Sequence, residues 1–558
     1  MISRTRYAAL AAAVLALIVL AATVLPAIAA SAGEPVDLEM ITRIRQEGFR
    51  NSKVMETLSE LTDRIGPRLT GSPNMKKANE WSKEQMEKWG LVNAHLEGWP
   101  FGRGWSEEFA YVRMTSPDEA TLLALPEAWT PSTNGVIRGN PIQANLETKE
   151  DLEKYRGKLS GKIVLLGGMR EVKPHEQAEM QRLDDQRLEQ IYLYQGRREY
   201  TPPAREEMMR RFAFERELNK FLIAEKPAAI IKPSRGDGGT LFVGSGGSYR
   251  KGDAATPSIP SFQMAIEHYG RIARLLDRGV AVELELESRV KFYDDDPNAY
   301  NTIAEIPGSD KEDEVVMLGG HLDSWHSGTG ATDNAAGCAV AMEAVRILKA
   351  LGVKPRRTIR VALWSGEEQG LRGSRAWVNQ HLASRPEPKD DVPWFLRREQ
   401  GPLTLKPEWS KVSAYFNFDN GGGKIRGIYA QENAAMRPIF EAWLEPFHDL
   451  GANTVSLRST GGTDHLSFDG VGVPGFQFIQ DPLEYTSRTH HSNMDVYERL
   501  QRDDMMQASV IMAAFVYQAA MRDGMMPRKP LPADTEVIRA DQKPAAPVKP
   551  AAKKEKQP

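Results

Sequence analysis

Val315-Val316-Met317-Leu318, Thr358-Ile359-Arg360-Val361-Ala362-Leu363-Trp364 and Val412-Ser413-Ala414-Tyr415-Phe416-Asn417-Phe418 decide the fold of this chain. Each run is short and apolar, rich in residues that favour extended backbone, and shows little alternation with polar positions. Such runs suit strands covered on both faces. Helical patterns lie between them, as in Ala335 to Leu351. Strands alternating with helices imply an α/β, doubly wound fold with a mostly parallel mixed sheet and helices on both faces. In such sheets ligands bind beyond the carboxyl ends of the strands.

Outward from this region the texture changes at Asn298 and again near Asn134. Between those points Lys162 to Leu166, Ala228 to Ile231, Leu241 to Val243 and Val280 to Leu286 are strand-like. Charged helical stretches, Glu176 to Gln195 and Ala204 to Ala224, interrupt them. Residues 134–292 therefore read as a β-rich domain with a helical excursion. It is inserted into a larger domain made of residues 34–133 and 293–528. In the first part of that domain Asp37 to Leu58 is helical, and Gly66 to Pro73 is a turn-rich loop. Ser72 caps a helix with Pro73 at its first position, running from Asn74 to Trp89 and ending at Gly90. Residues 529–558 are rich in Lys, Pro and Ala, poor in core-forming side chains, and read as a disordered tail.

At 558 residues the chain exceeds one ordinary core. A net charge of −3 with no basic block excludes the electrostatic footprint of a nucleic-acid binder. Arg4 and Arg6 precede an apolar run from Ala8 to Leu25, then Pro26 and small residues that fit a cleavage site at Ala29 or Ala32. Residues 1–32 therefore read as a secretory signal peptide, which implies export to the periplasm or the extracellular space with no membrane attachment after cleavage. An uncleaved anchor is the alternative. Cys338 is the sole cysteine, so no internal disulfide is available. Its small apolar neighbours indicate a buried thiol, not a nucleophile.

Five acidic or histidine-bearing clusters fall at or just past the strand ends. In Gly319-Gly320-His321-Leu322-Asp323-Ser324, His321 leaves a buried strand as a neutral imidazole suited to zinc. Asp323 is placed to accept its second N–H. In Thr332-Asp333-Asn334-Ala335-Ala336-Gly337, Asp333 sits where a helix begins, either as its cap or as a carboxylate that offers one oxygen to each of two metals. In Trp364-Ser365-Gly366-Glu367-Glu368, adjacent glutamates point apart. One can bind metal while the other faces a water as base, unless both decorate a solvated turn. Asp419 follows the strand Val412 to Phe418, and His491 lies in Thr489-His490-His491-Ser492-Asn493-Met494-Asp495 with Asp495 as a supporting carboxylate. Imidazole and carboxylate donors without thiolate suit a catalytic zinc site with open positions.

His321-x-Asp323, Asp333-Asn334-x-Ala336-Gly337, Glu367-Glu368, Asp419 and His491 resemble the metal-site series of the two-zinc exopeptidase family of bacterial leucine aminopeptidases and carboxypeptidase Q, peptidase family M28. Asn301 to Gly308 is similar to that family's entry into its catalytic sheet, and residues 134–292 resemble its inserted protease-associated domain. The resemblance implies the zinc exopeptidase fold and two Zn²⁺ per chain. Asp333 would bridge the metals, His321 and Asp419 would complete one site, and Glu368 and His491 the other. Glu367 would be the base that activates the attacking water. His490 stands where many members carry Tyr, which leaves open which of the two histidines binds metal. Peptides are the implied substrates, cleaved at a terminal bond by an aminopeptidase or dipeptidase. Asp481, Glu484 and Tyr485 are the candidate substrate contacts, and an oligomer is compatible with the sequence. Two rivals share the fold: a single-zinc glutaminyl cyclase-like acyltransferase and a receptor-like homologue without catalysis.

Overall fold

The computed structural model describes residues 33–194, 202–386, 401–532 and 535–539; the expected leader, 1–32, lies outside them. An eight-stranded sheet forms its centre. In chain order its strands are β1 (Val92–Pro100), β2 (Asn298–Ile306), β3 (Lys311–His321), β4 (Arg357–Trp364), β5 (Val412–Asn417), β6 (Ile425–Tyr429), β7 (Thr454–Ser456) and β8 (Gly475–Gln480). Across the sheet they lie in the order β1-β2-β4-β3-β5-β8-β6-β7. The four central strands β4, β3, β5 and β8 run parallel. Antiparallel pairings of β1, β2 and β6 make the flanks mixed. This is the α/β sheet that the unalternating apolar runs imply.

The central strands are buried on both sides, and the pleat sorts their side chains. Val316 and Leu318 of β3, Ile359, Val361 and Leu363 of β4, and Ala414 and Phe416 of β5 face one core. That core is shared with three helices: α1 (Leu38–Arg50), α3 (Ala336–Ala350) and α4 (Arg502–Met521). Val315, Met317, Ala362, Trp364 and Tyr415 face the other, with Trp377 and Phe468. Helix α2 (Pro73–Lys88) starts as its sequence dictates: Ser72 accepts from the Met75 N–H and Pro73 takes the first turn. The first helical stretch breaks at residues 51–53, which divide α1 from a short helix at Val54–Ser59.

Two further sheets form a second unit. One pairs Gly104–Ser116 with Glu283–Tyr293 as a long antiparallel ribbon, flanked by Ala120–Leu122 and Ile137–Gly139. The other orders Ala124–Pro126, Ser261–Met264, Ala229–Pro233, Ile163–Leu166 and Pro141–Ala144. Val112, Met114, Leu284 and Leu286 of the ribbon pack on Ile163, Leu165, Ile231 and Phe262 of the second sheet. The ribbon thus joins these sheets upstream of residue 134, where the change of texture set the boundary. Its polar residues alternate with apolar ones, so only one face carries the core signal.

Three segments differ from the sequence reading. Leu241 to Val243 is no ladder strand; Phe242 instead makes an isolated antiparallel bridge to Ser492 of the larger domain. Residues 176–184 are not helical, and among the described residues of this stretch helix spans Asp185–Tyr192 and Pro202–Glu225; Gln195 lies outside the described residues. The expected tail is not featureless in its described part. Val537–Arg539 pairs with Leu403–Leu405, and the Lys529 ammonium reaches Gln431 O at 2.9 Å and Asp469 at 2.8 Å. These contacts use backbone and one ammonium, which apolar content does not forecast.

Candidate metal centre

Parallel strands end on one side of a sheet, and here four adjacent ones deliver the site. His321 is the last residue of β3, level with Trp364 of β4, while Gly319 is level with Asn417 of β5. Glu367 and Glu368 follow β4, Asp419 follows β5, and the segment after β8 leads to His490 and His491. Asp333 lies on the turn entering α3. Gly337 in the first turn of that helix allows the approach, because a Cβ there would sit 2.0 Å from Phe418 O. Asn334 locks the same contact by donating to Phe418 O at 2.9 Å and accepting from Gly337 N–H at 2.9 Å.

The five expected metal-binding residues and Glu367 converge. Asp333 Oδ1 lies 3.2 Å from His321 Nε2, and Asp333 Oδ2 lies 3.3 Å from His491 Nε2. His321 Nε2 is also 3.4 Å from Asp419 Oδ1 and 3.9 Å from Glu367 Oε2. His491 Nε2 is 2.9 Å from Glu368 Oε2. His490 Nε2 stands farther from Asp333 Oδ2, at 3.8 Å, and its ring packs on Tyr485. Geometry therefore favours His491 over His490 as the donor beside Asp333 and Glu368.

Supporting carboxylates hold these groups, though not always as the sequence suggests. His321 Nδ1 donates to the carbonyl of Asp323 at 3.0 Å, while its carboxylate is 3.5 Å away. A carbonyl only accepts, so Nε2 of the neutral ring carries its lone pair into the site. The Asp323 carboxylate instead accepts the N–H groups of Glu367 and Glu368 at 3.3 Å each, and the Thr70 hydroxyl at 2.9 Å. Asp495 accepts from Thr332 N–H at 2.6 Å and Asp333 N–H at 3.1 Å, fixing the turn that aims Asp333.

The electrostatics are those of a dry site with surplus anions. Burial pushes Glu367 and Glu368 well above the carboxylate range, and neighbouring carboxylates add to it against the pull of His321. Burial alone would lower His321, yet Asp419 and Glu367 raise it well above an ordinary histidine. Burial would also raise Asp333, but the close approach of His321, and then the imidazoles of His491 and His490, hold it low. His490 and His491 are lowered by burial, against the pull of Asp333. Asp464 and Asp495, also buried, are each pushed up to about 7. His321 Nε2, Asp333 Oδ2 and Glu368 Oε1 are buried without a hydrogen-bond partner. A dication suits such atoms, since orphaned buried polar groups are otherwise costly. Imidazole and carboxylate without thiolate fit zinc.

The three expected substrate contacts part company. Tyr485 and Glu484 line a cavity of about 100 Å³ beside Thr332, Gly421 and Gly422. Glu484 is already paired with Arg499 at 2.9 Å. Asp481 is a correction: it is fully buried and accepts from Arg182, Leu183 N–H and Arg426, each at 2.9 Å. Enclosed by these three bonds, it braces the loop. Cys338 is inert: burial pushes its thiol up to about 12, and it donates to His321 O.

Two contributors escaped the sequence reading. Arg68, fully buried, donates to the carbonyls of Leu61, Gly66, Leu322, Thr329 and Gly330, tying together the loops beside His321 and Asp333. Asp464, in Gly461-Gly462-Thr463-Asp464-His465, adds a buried carboxyl near Asp419. A buried Arg in a Gly/Pro loop and an acid after paired glycines were the available signals.

A sheet with imidazole and carboxylate side chains gathered past the ends of its parallel strands, where they could hold a metal ion, is the arrangement of a metallohydrolase, and comparison with known proteins makes the class particular. Residues 301–516 match the model of peptidase family M28. Bovine carboxypeptidase Q is 27% identical over 486 residues, 86% of this chain and 88% of that protein. Aminopeptidase YwaD of Bacillus subtilis is 26% identical over 219 residues, covering 39% of this chain and 44% of that one. Among solved structures, a peptidase M28 precursor from Shewanella amazonensis has the same fold, with a TM-score of 0.61 at 24% identity. It covers 88% of this chain and 99% of its own. Residues 301–516 are thus those of a peptidase family M28 domain.

Proposed function

We propose that this zinc exopeptidase holds two zinc ions and removes terminal residues from peptides as an aminopeptidase or dipeptidase of the carboxypeptidase Q kind. The observation that carries the two-metal reading is the division of Asp333. One oxygen faces His321, beside Asp419, and the other faces His491, beside Glu368. A single-zinc acyltransferase would need only one such set. The resemblance to carboxypeptidase Q along most of both chains supports the substrate class.

In this reading His321, Asp333 and Asp419 would hold one ion, and Asp333, Glu368 and His491 the other. Bound zinc would acidify a water and polarise the scissile carbonyl. Glu367, which is not needed for either set, takes the water's proton on its carboxylate and passes it to the leaving amine. Asp323 fixes the backbone of the glutamate pair, so base and metal-binding carboxylate keep their separate directions. Export follows from the leader at residues 1–32; among the described residues no helix is long and apolar enough to cross a membrane.

Time-resolved mass spectrometry of a mixed peptide pool, run with and without added zinc, tests the activity. Loss of single terminal residues, dependent on zinc, is expected, with metal analysis approaching two zinc per chain. Internal cleavage, or full activity with one zinc, would refute the reading. N-terminal sequencing of the exported protein should begin near residue 30 or 33; an intact Met1 would refute cleavage.

A further inference from the structure

Two arms of the β-rich unit grip the segment that carries His490 and His491. On one flank Phe242 faces Ser492 in an antiparallel bridge. There Val243 N–H donates to His491 O and Asn493 N–H donates to Leu241 O, both at 3.0 Å. The Asn493 side chain doubles the join: its oxygen accepts from Leu241 N–H at 2.7 Å and its amide donates to Gly239 O at 3.2 Å. On the other flank Gln181 and Leu483 exchange backbone hydrogen bonds of 3.1 and 2.8 Å. Arg182 there pairs with Asp481 at 2.9 Å and with Asp504 at 2.8 Å. Between the flanks, Glu179 accepts from Arg488 Nε at 2.8 Å.

What these arms hold is a backbone that needs holding. His491 has φ +64°, a left-handed conformation that a residue with a Cβ leaves readily unless its surroundings fix it. The Val243 N–H fixes the carbonyl of that very residue, and the ring on the same residue meets Asp333 and Glu368. His321 ends a sheet strand and Asp419 follows one closely, so the sheet itself places them.

We infer that the β-rich unit is a working part of the metal centre: Val243 through its N–H, Asn493 and Arg182 are positioning residues that seat His491, so the set Asp333, Glu368 and His491 is complete only while both arms are docked. This rests on the two-metal reading above. The arms act on affinity for one zinc and leave the other alone.

The test is zinc binding by the full chain, measured by competition with a chromophoric chelator, for wild type, Asn493→Ala, Arg182→Ala and the double variant. Each single change should weaken the looser zinc by roughly 10- to 100-fold, as loss of an outer support does. The tighter zinc should stay within about twofold in this scheme. Arg182→Lys, which keeps the charge without the fork, should recover part of the loss. Hydrogen exchange on wild-type protein gives a second readout that needs no variant. The Val243 amide should be protected even after zinc is stripped, because the arm docks on backbone and not on metal. A double variant that binds both zincs as wild type does would overturn the inference. So would free exchange at Val243 in the metal-free protein. Wild type that takes up fewer than two zincs would instead remove the two-metal reading beneath it.

Discussion

Replacing Arg68 by Met would keep the length of the side chain and remove its five hydrogen bonds to carbonyls. Two acceptors keep another partner: Leu61 O also receives Gly66 N–H, and Gly330 O also receives Ala335 N–H. The carbonyls of Gly66 and Leu322, both buried, and of Thr329, part-buried, are left without one. At about 1–3 kcal/mol for each orphaned group, the loss comes to roughly 3–9 kcal/mol. Part is offset, because burial already disfavours this guanidinium and depresses its pKa. A net cost of about 3–5 kcal/mol is expected, against a total stability of about 5–15 kcal/mol. The metal centre should suffer with it, since Leu322 follows His321 and Thr329 and Gly330 precede the Asp333 turn. Urea unfolding with excess chelator measures the fold's share, and zinc content of the native variant measures the site's. A cost below about 1 kcal/mol, with zinc content unchanged, would refute the view that Arg68 ties the loops.

Three further outcomes are expected. Glu367→Gln should keep both zincs and lose roughly 10²–10⁴ in kcat, whereas Glu368→Gln should lose zinc; the reverse pattern in metal analysis would exchange their roles. Zinc loading should release protons near neutral pH, because Glu367, Glu368 and His321 all sit above their ordinary values in the metal-free site. Calorimetry in buffers of different ionisation enthalpy reads this, and a buffer-independent heat would refute it. His381 is opposed by burial but raised to about 9 by Glu408 and Glu97. A raised folded pKa stabilises fully below the unfolded value near 6.5 and is lost as pH rises through about 9. Urea midpoints should therefore fall over that window in wild type and fall less in His381→Gln; equal slopes would refute the pairing.

The site was legible because its geometry is that of a parallel sheet: a residue just past one strand end neighbours residues just past the next. Apolar runs located the ends, and acids or histidines following them located the cluster. Burial of individual loop residues was not legible. Asp481 and Glu484 are close in sequence and equally polar in appearance, yet one is enclosed by Arg182 and Arg426 and the other lines a cavity. Arg68 reads as punctuation in a Gly/Pro loop, because three of its five partners, the carbonyls of Leu322, Thr329 and Gly330, are supplied by backbone far along the chain. The ribbon strand upstream of residue 134, Gly104–Ser116, was equally silent. Its partner lies far along the chain, at Glu283–Tyr293, and neither half shows a two-sided apolar run.

The two donor sets differ in what supports them, and that difference has a physical consequence. His321 ends β3, and Asp419 follows β5, so their separation is set by strand spacing and by a core packed on both faces. His491 belongs to a long connection after β8, with a left-handed backbone and no ladder of its own within the sheet. A side chain on a rigid strand loses little freedom when it binds metal, while one on a loop must first be ordered. Asp333 bridges this asymmetry: Asp495 fixes its N–H, and its two oxygens face donors of unequal rigidity. In the two-metal reading, affinity at the His321 side would thus be a property of the sheet, whereas affinity at the His491 side would be open to tuning by whatever orders the loop.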